Sequence, residues 1–466
     1  MRRFRFPAWM PWLSLAFLSS PARAQEPLPA AMQAAIDSAV TEGLASSGAP
    51  SASIAVVQDG RIAYLHAYGV AELVPARPAT VGMRYSIGSI SKQFTASAIL
   101  LLVEAKRLSL DDKVARWLPE LTRAREVTVR QLLSMTSGYQ DYWPQDYVMP
   151  PMLQPVAPRQ ICDEWAAKPL DFEPGSRWQY SNTNYVIAGL IVEKASGMPL
   201  LDFLQRRIFT RLGMQSIANI DAGPLGPDDA TGYRRFALGP VRPAPKEAPG
   251  WLFAAGGLAM TARDLARWDV SLMEQTVLSP ASYRELETEV LLRDGMGTHY
   301  GLGVAVNSIG GRRRLSHGGE VSGFTASNLV YPDDRTAIVV LANLDATGAP
   351  GAIAQRIAQQ LFSATDSATD QAVAQARAIF AGLQRGRIDR ALFSPNANAY
   401  FSDEAIADFA ASLGRLGAPT AFVSLSQQLR GGMIGRRFEI RYGDKTLSLS
   451  TFTLPDGKLE QYQIWQ

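Results

Sequence analysis

Residues 85–94 read YSIGSISKQF, where a polar, glycine-containing approach meets an apolar run that continues through Leu102. Ser89 falls where a helix is predicted to begin, and Lys92 lies three residues later on the same helical face. A hydroxyl becomes a good nucleophile when a base takes its proton, and a nearby lysine of depressed pKa is able to do so. The alternative is a serine N-cap on a core helix with an incidental lysine. An isolated Ser-x-x-Lys favours that alternative, so the rest of the chain has to decide between the two.

Length and composition indicate a globular protein of two or three units. The chain has 466 residues, of which 47% are hydrophobic and 19% are charged, with no poly-charge tract. Its formal net charge of +3 is near neutral for this size, so the composition gives no argument for nucleic acid as a partner.

The cysteine and histidine content predicts neither an internal disulfide nor a metal centre. Cys162 is the only cysteine, and its helical surroundings predict a buried structural thiol. The three histidines (His66, His299 and His317) lack the spacing of metal ligands. No metal and no cofactor are expected.

Residues 1–24 have the pattern of a signal peptide. Three arginines among the first five residues precede an apolar run over 9–18, and Ala-Arg-Ala at 22–24 provides a small-x-small cleavage site. A membrane anchor is the alternative, but the apolar run is well short of the ~20 residues that a spanning helix needs. No later segment is long and apolar enough to cross a bilayer. The mature chain is therefore expected to begin at Gln25 and to be periplasmic or secreted.

Strands are predicted at both ends of the first 362 residues, with helices between them. A β-hairpin is expected around Asp59-Gly60, and helical patterns broken by Pro- and Gly-rich loops occupy about 108–260. Strand patterns return at 301–306, 324–330 and 337–341. The simplest packing is an α/β fold of the α+β type, in which one antiparallel sheet flanked by helices carries a helical insertion domain beside it.

A second unit is predicted after a low-complexity seam at 363–370, which is interpreted as a linker. Residues 371–466 contain two helical stretches followed by alternating strands, the pattern of a small C-terminal α+β domain.

Tyr180-Ser181-Asn182 is a candidate partner for Ser89 and Lys92. A phenol has a pKa near 10 and becomes a usable base when a cation stabilises its phenolate, and Lys92 would be that cation. Asn182 could hold a substrate carbonyl. A loop tyrosine that covers a core edge is the alternative, and the motif alone favours it.

His317-Gly318-Gly319 precedes a predicted strand and supplies a third candidate. Glycines permit a ligand to approach the backbone closely, and the N–H of Glu320 could form an oxyanion hole with that of Ser89. A simple turn before a strand is the alternative. His299-Tyr300-Gly301 also fits His-x-Gly, so this motif is weak by itself.

The three motifs in this order resemble the serine β-lactamase and penicillin-binding-protein superfamily, with class C β-lactamases and their related esterases, D-amino-acid peptidases and carboxypeptidases as the best match. The resemblance covers about 30–362 and includes LLSMTSG at 132–138 and GGL at 256–258. It implies that Ser89 is the nucleophile and that Lys92, Tyr180 and Asn182 match the family's lysine, tyrosine and paired asparagine.

The resemblance also bears on the two units. It implies a β-lactamase/transpeptidase-like hydrolase domain at 25–362, with the site between the sheet and the helical domain. Residues 371–466 resemble the nuclear-transport-factor-2-like cone, which implies an accessory or substrate-orienting role.

The third motif departs from the family pattern, which is usually Lys-Thr-Gly in β-lactamases and carboxypeptidases. His317 is mostly neutral at pH 7 and Glu320 adds a negative charge, so an anionic substrate carboxylate should bind weakly here.

We therefore expect an exported serine hydrolase that forms an acyl-enzyme on a small-molecule or peptide ester or amide, including D-amino-acid peptides. In it, His317, Gly318, Gly319 and Glu320 belong to the oxyanion and substrate-binding wall. The alternatives are a β-lactamase or DD-carboxypeptidase, and a non-hydrolytic penicillin-binding sensor or pseudoenzyme. The sequence does not determine the oligomeric state.

Overall fold

The computed structural model describes residues 27–145, 147–365, 367–443 and 445–466. The predicted export segment, residues 1–24, lies outside these ranges. In the described part of the chain, no helix combines the length and the apolar character that crossing a bilayer would require.

The helices are α1 Ala30–Ser47, α2 Ser91–Glu104, α3 Val129–Leu133, α4 Pro158–Trp165, α5 Asn182–Ser196, α6 Leu200–Leu204, α7 Phe253–Gly256, α8 Ala262–Glu274, α9 Pro280–Glu287, α10 Ala349–Thr365, α11 Ser367–Leu383, α12 Pro395–Tyr400 and α13 Asp403–Leu413. The strands are β1 Ser51–Gln58, β2 Arg61–Leu73, β3 Ala76–Pro78, β4 Tyr85–Ser86, β5 Ala218–Asn219, β6 Tyr233–Arg234, β7 Arg242–Pro243, β8 Leu258–Met260, β9 Ala305–Ile309, β10 Arg312–Val321, β11 Phe324–Tyr331, β12 Thr336–Ala342, β13 Ala421–Arg430, β14 Met433–Tyr442, β15 Lys445–Thr453 and β16 Leu459–Trp465.

The main sheet has seven strands in the order β3-β2-β1-β12-β11-β10-β9, and its neighbours from β2 to β9 pair antiparallel. The pairing of β1 with β12 joins the two ends of the domain, as predicted. Both central strands are buried along almost their whole length, because helices cover both faces. Helices α1 and α10 pack on one face, while α8 packs on the other. The predicted antiparallel sheet with flanking helices is confirmed.

The stretch between 108 and 260 is mainly helical and loop-rich, and it also holds short strands that the sequence did not predict. Strands β6 and β7 form a hairpin in sequence that was predicted to be one of the Pro- and Gly-rich loops. Each has two residues, which is too short for a period-two pattern to be visible.

The third motif precedes the strand predicted at 324–330, which is observed as β11, and it lies itself inside a strand, β10, that the sequence did not predict. Residues 317–321 of β10 pair with β11, with Glu320 opposite Thr325. Glycines have low strand propensity, and here pairing with the buried strand β11 outweighs that preference. The predicted strand at 301–306 is also displaced, to Ala305–Ile309.

The C-terminal unit is a four-stranded antiparallel sheet, β13-β14-β15-β16, with α11, α12 and α13. It has its own hydrophobic core, which includes Phe380, Phe393 and Leu449. The seam expected to be a linker is helical on both sides of Asp366, since α10 reaches Thr365 and α11 begins at Ser367. Alanine-rich sequence favours helix, which explains this difference. The domain boundary and the likeness to a nuclear-transport-factor-2-like cone stay predictions.

Candidate active site

The turn that carries Ser89 is pressed against strand β10. Residues Gly88–Ile90 form one 3₁₀ turn that leads directly into α2. Gly88 has φ +51°, and a Cβ built on it would lie 2.6 Å from the backbone N of Glu320. A Cβ on Gly319 would lie 1.9 Å from the carbonyl O of Ile87. Only glycine fits at both positions, and together they bring the backbone of Glu320 beside Ser89.

Lys92 is fully buried, and its amine forms three hydrogen bonds. Its Nζ lies 3.0 Å from Ser89 Oγ, 2.8 Å from Asn182 Oδ1 and 2.8 Å from the carbonyl O of Ala255. Burial lowers the pKa of Lys92 to about 7, although the nearby charge of Asp141 acts in the opposite direction. A neutral amine has two N–H groups and one lone pair, and Asn182 Oδ1 and Ala255 O are acceptors only. Of the three partners, only Ser89 can donate a hydrogen bond, so the lone pair of neutral Lys92 faces the Ser89 hydroxyl.

Tyr180 joins the same cluster. Its hydroxyl is hydrogen-bonded to Ser89, and Lys92 Nζ lies 5.0 Å from its ring centroid. Burial nevertheless raises the pKa of Tyr180, an effect larger than the lowering by the hydrogen bond to Ser89. The phenol is therefore protonated at neutral pH, and Lys92 is the stronger candidate for the base that activates Ser89.

Asn182 begins α5, and its amide is occupied within the protein. Besides accepting from Lys92, it donates from its backbone N (2.9 Å) and its Nδ2 (3.3 Å) to the carboxylate of Asp141. The side chain thus positions Lys92, and since it also lines the cleft, the substrate contact expected from the sequence stays a prediction.

Asp141 was missed by the sequence analysis. Its Oδ1 also accepts the N–H of Trp143 at 3.1 Å, and burial raises its pKa more than these hydrogen bonds lower it. The residue lines the cleft beside Ser89. Asp141 lies in a loop, and no other candidate catalytic residue follows it at a spacing typical of a known motif. No pattern in the sequence therefore indicated it.

His317 is placed at the site as a neutral ring with both nitrogens engaged. Its Nδ1 lies 2.6 Å from the carbonyl O of Gly318, which can only accept, so the proton is on Nδ1. Tyr300 then donates its hydroxyl proton to Nε2 at 2.9 Å. Burial, with the charge of Lys92, lowers the pKa of His317 to about 4. The histidine therefore supplies no positive charge where the family pattern has lysine.

A cleft of about 940 Å³ runs over this cluster. Ser89, Tyr180, Asn182 and residues 317–322 line it, and a second wall contains Trp143 and Tyr147. This volume is at the upper end of small-molecule sites and holds a substrate of several residues. Among the described residues, no group of three or more His, Cys, Asp or Glu side chains is arranged to hold a metal ion.

Fold and site together define a serine hydrolase with a Ser-x-x-Lys nucleophile and base. Residues 36–362 match the family described as Beta-lactamase. The chain is 32% identical over 305 residues to penicillin-binding protein 4* of Bacillus subtilis, covering 62% of this chain and 67% of that protein. The chain belongs to the β-lactamase family, within the superfamily of β-lactamases and penicillin-binding proteins.

Other relatives are named for the hydrolysis of D-amino-acid compounds. A D-aminopeptidase of Brucella anthropi is 30% identical over 64% of this chain, and the chain spans 56% of that protein. The solved D-stereospecific amidohydrolase from Streptomyces sp. is 28% identical, with a TM-score of 0.61, and the match covers 72% of this chain and 99% of that one. An octameric penicillin-binding protein homologue from Pyrococcus abyssi is similar in fold, with a TM-score of 0.62 at 21% identity, over 93% of this chain and 99% of that one.

Proposed function

We propose that this protein hydrolyses amides and peptides of D-amino acids through an acyl-enzyme on Ser89. The observation that carries the proposal is the buried Lys92, whose pKa of about 7 and hydrogen bond to Ser89 supply the base that a serine nucleophile needs. The D-amino-acid substrate class is supported by the names of the D-aminopeptidase and D-stereospecific amidohydrolase relatives.

The geometry supports a two-step mechanism. Neutral Lys92 takes the proton of Ser89 as its Oγ bonds to the substrate carbonyl carbon, and the N–H groups of Ser89 and Glu320 stabilise the oxyanion. Tyr180 donates its proton to the leaving nitrogen, the carbon–nitrogen bond breaks, and the proton on Lys92 restores the phenol. Water then attacks the ester on Ser89 with the same groups acting in reverse.

The leaving-group side favours substrates without a carboxylate. Tyr180 and His317 lie side by side, with ring centroids 6.4 Å apart. Because His317 is neutral and both its nitrogens have partners, it offers neither charge nor a free N–H to an anion. This supports amides, esters and D-amino-acid amides over β-lactams and the C-terminal residues released by carboxypeptidases, which carry a carboxylate.

Export is part of the proposal and rests on the signal-peptide pattern at 1–24. In a Gram-negative host, mass spectrometry of the periplasmic protein should find Gln25 as the first residue. An intact Met1, or recovery in the cytoplasm alone, would contradict export.

A substrate panel tests the function. We expect wild type to hydrolyse D-alanine and D-phenylalanine p-nitroanilides and p-nitrophenyl esters faster than the L-isomers or a chromogenic cephalosporin. Ser89→Ala should lose more than about a thousandfold in kcat, whereas Ser46→Ala on the exposed face of α1 is the matched control. Faster cephalosporin turnover would overturn the substrate class, and full activity of Ser89→Ala would overturn the mechanism.

A further inference from the structure

We propose that the far arm of the cleft, beyond Ser322, binds the acyl part of the substrate and that Arg234 there binds a carboxylate on it. This inference rests on the proposed function and names its preferred substrates: D-peptides or N-acyl-D-amino-acid amides whose acyl portion is extended and acidic.

Hydrogen bonds place Arg234 at the end of the cleft that β10 leads to. The N–H of Tyr233 lies 3.2 Å from the carbonyl O of Gly323, in the turn after β10. The N–H of Asp345, just beyond β12, donates to the carbonyl O of Tyr233 at 3.0 Å. Strand β6 is thereby fixed to this corner of the sheet, and the Arg234 side chain lines the cleft there.

Proton delivery decides which part of the substrate faces this arm. The leaving nitrogen must lie near Tyr180 to receive a proton, and Tyr180 is next to His317. His317 and Ser322 are five residues apart on β10 and the turn that follows, which is about 17 Å of extended chain. With the leaving group at the His317 end, the acyl group extends along β10 toward Ser322 and Arg234.

Arg234 is held in place, and no carboxylate of the described residues forms an ion pair with it, although its charge lowers the pKa of Asp345 against the larger effect of burial. Its guanidinium carbon lies 4.8 Å from the ring centroid of Phe236, which restricts the plane of the group. Among the residues that the structure describes, the buried Nε of Arg234 has no hydrogen-bond partner, and the side chain forms no salt bridge. Neighbouring Arg235, in contrast, donates from Nη1 to the carbonyl O of Ser47 at 2.9 Å.

Two carboxylates share this arm, and both are engaged by backbone groups. Glu320 accepts the N–H of Ala346 at 2.7 Å, and Asp345 accepts the N–H of Gly323 at 3.0 Å. Neither neutralises Arg234 by direct contact, although both reduce its net attraction for anions. A guanidinium binds a carboxylate through two parallel hydrogen bonds, so an acidic acyl group matches it in charge and shape.

The test compares substrates that differ only in one charge. Succinyl and succinamoyl derivatives of D-alanine p-nitroanilide and D-alanyl-D-alanine p-nitroanilide have nearly the same size, with a carboxylate in the first and an amide in the second. We expect wild type to favour the succinyl substrate of at least one length by about tenfold in kcat/KM, mainly through KM, and to lose part of this preference at high salt.

Variants identify the residue responsible. Arg234→Gln should reduce the preference to about one while the rate on the succinamoyl substrates stays within about threefold. Arg242→Gln is the matched control, since Arg242 pairs with Arg234 across the hairpin, is exposed and does not line the cleft.

The outcomes separate this inference from the function on which it rests. Equal rates on the charged and neutral substrates in wild type, or a preference that survives in Arg234→Gln, would overturn the inference alone. Failure to hydrolyse any D-amino-acid anilide or ester would overturn the proposed function, and the inference with it.

Discussion

At the scale of single residues, the site depends on the state of one proton on Lys92. Its amine is fully buried against Ser89, Asn182 and Ala255, and burial lowers its pKa to about 7, so the neutral form is accessible near pH 7. Burial and the charge of Lys92 lower the pKa of His317 to about 4, so this ring is already neutral where Lys92 loses its proton. The two groups therefore separate in a pH profile.

We expect kcat/KM for a neutral D-amino-acid anilide to rise with pH and to level off above about 7. The sign follows because the neutral amine is the active form, and its fraction increases tenfold per pH unit below its pKa. Rates measured from pH 4.5 to 9 test this expectation. In His317→Gln, the acid limb of the profile should keep its midpoint near pH 7. A midpoint that shifts in this variant would show that Lys92 is not the base.

Adjacent glycines of β10 provide a matched pair of substitutions. A Cβ on Gly319 would meet Ile87 O at 1.9 Å, whereas one on Gly318 would find its nearest atom, Ala326 O, at 3.8 Å. Gly319→Ala should therefore cost about 1–3 kcal/mol of stability and displace the Ser89 turn. Thermal denaturation of the two variants tests this, and equal melting temperatures would show that the turn and the strand are not in close contact.

At the scale of elements, the short helix α7 completes the environment of Lys92. Its Ala255 carbonyl accepts from Lys92, and its Ala254 carbonyl accepts from Thr95 at 2.8 Å. The chain entering α7 is in turn held by Asp221, whose Oδ1 accepts the N–H groups of Gly250 and Leu252, both at 2.9 Å. Asp221 is thus a positioning residue two contacts away from Lys92.

Asp221→Ala should lower kcat by about tenfold or more and shift the acid limb of the pH profile, because α7 would no longer fix the Ala255 carbonyl. Asp228→Ala, at an exposed position in the same segment, is the control. If Asp221→Ala changes the melting temperature but leaves the acid limb of the pH profile unaltered, Asp221 has a structural role only.

Sequence patterns predicted elements where a periodicity was long enough to be visible. The hairpin at Asp59-Gly60, the helix after Ser89 and the sheet formed from both ends were foreseen, since each depends on local turn chemistry or a sustained apolar pattern. Strand β10 was not predicted, because its arginines and glycines leave no apolar strand pattern to recognise. Asp141 and Asp221 were missed because their importance arises from contacts between distant segments, which one sequence does not reveal.

At the scale of the whole molecule, the two units have separate cores. The hydrolase cores draw on residues 28–361, and the C-terminal core on residues 376–462. All the residues placed around Ser89 belong to the first set. The second unit is thus free to have a role of its own, for which the structure shows no catalytic arrangement in the described residues.

A chain that ends at Phe362 should therefore fold and hydrolyse small neutral anilides within about threefold of the full-length rate. Phe362 is retained because it packs against Tyr331. A soluble, folded truncation with a kcat reduced a hundredfold would show instead that the C-terminal unit takes part in catalysis.

The proposed function requires that Ser89 carries the acyl group during turnover. The most direct measurement is acid quenching during hydrolysis of a D-phenylalanine ester, followed by tryptic mass spectrometry. Cleavage after Arg84 and Lys92 yields peptide 85–92, and fragment ions distinguish Ser89 from Ser86 and Ser91. We expect a phenylalanyl adduct on Ser89 that is absent in Ser89→Ala. Continued turnover with no adduct on that peptide, or with the adduct on another residue, would contradict it.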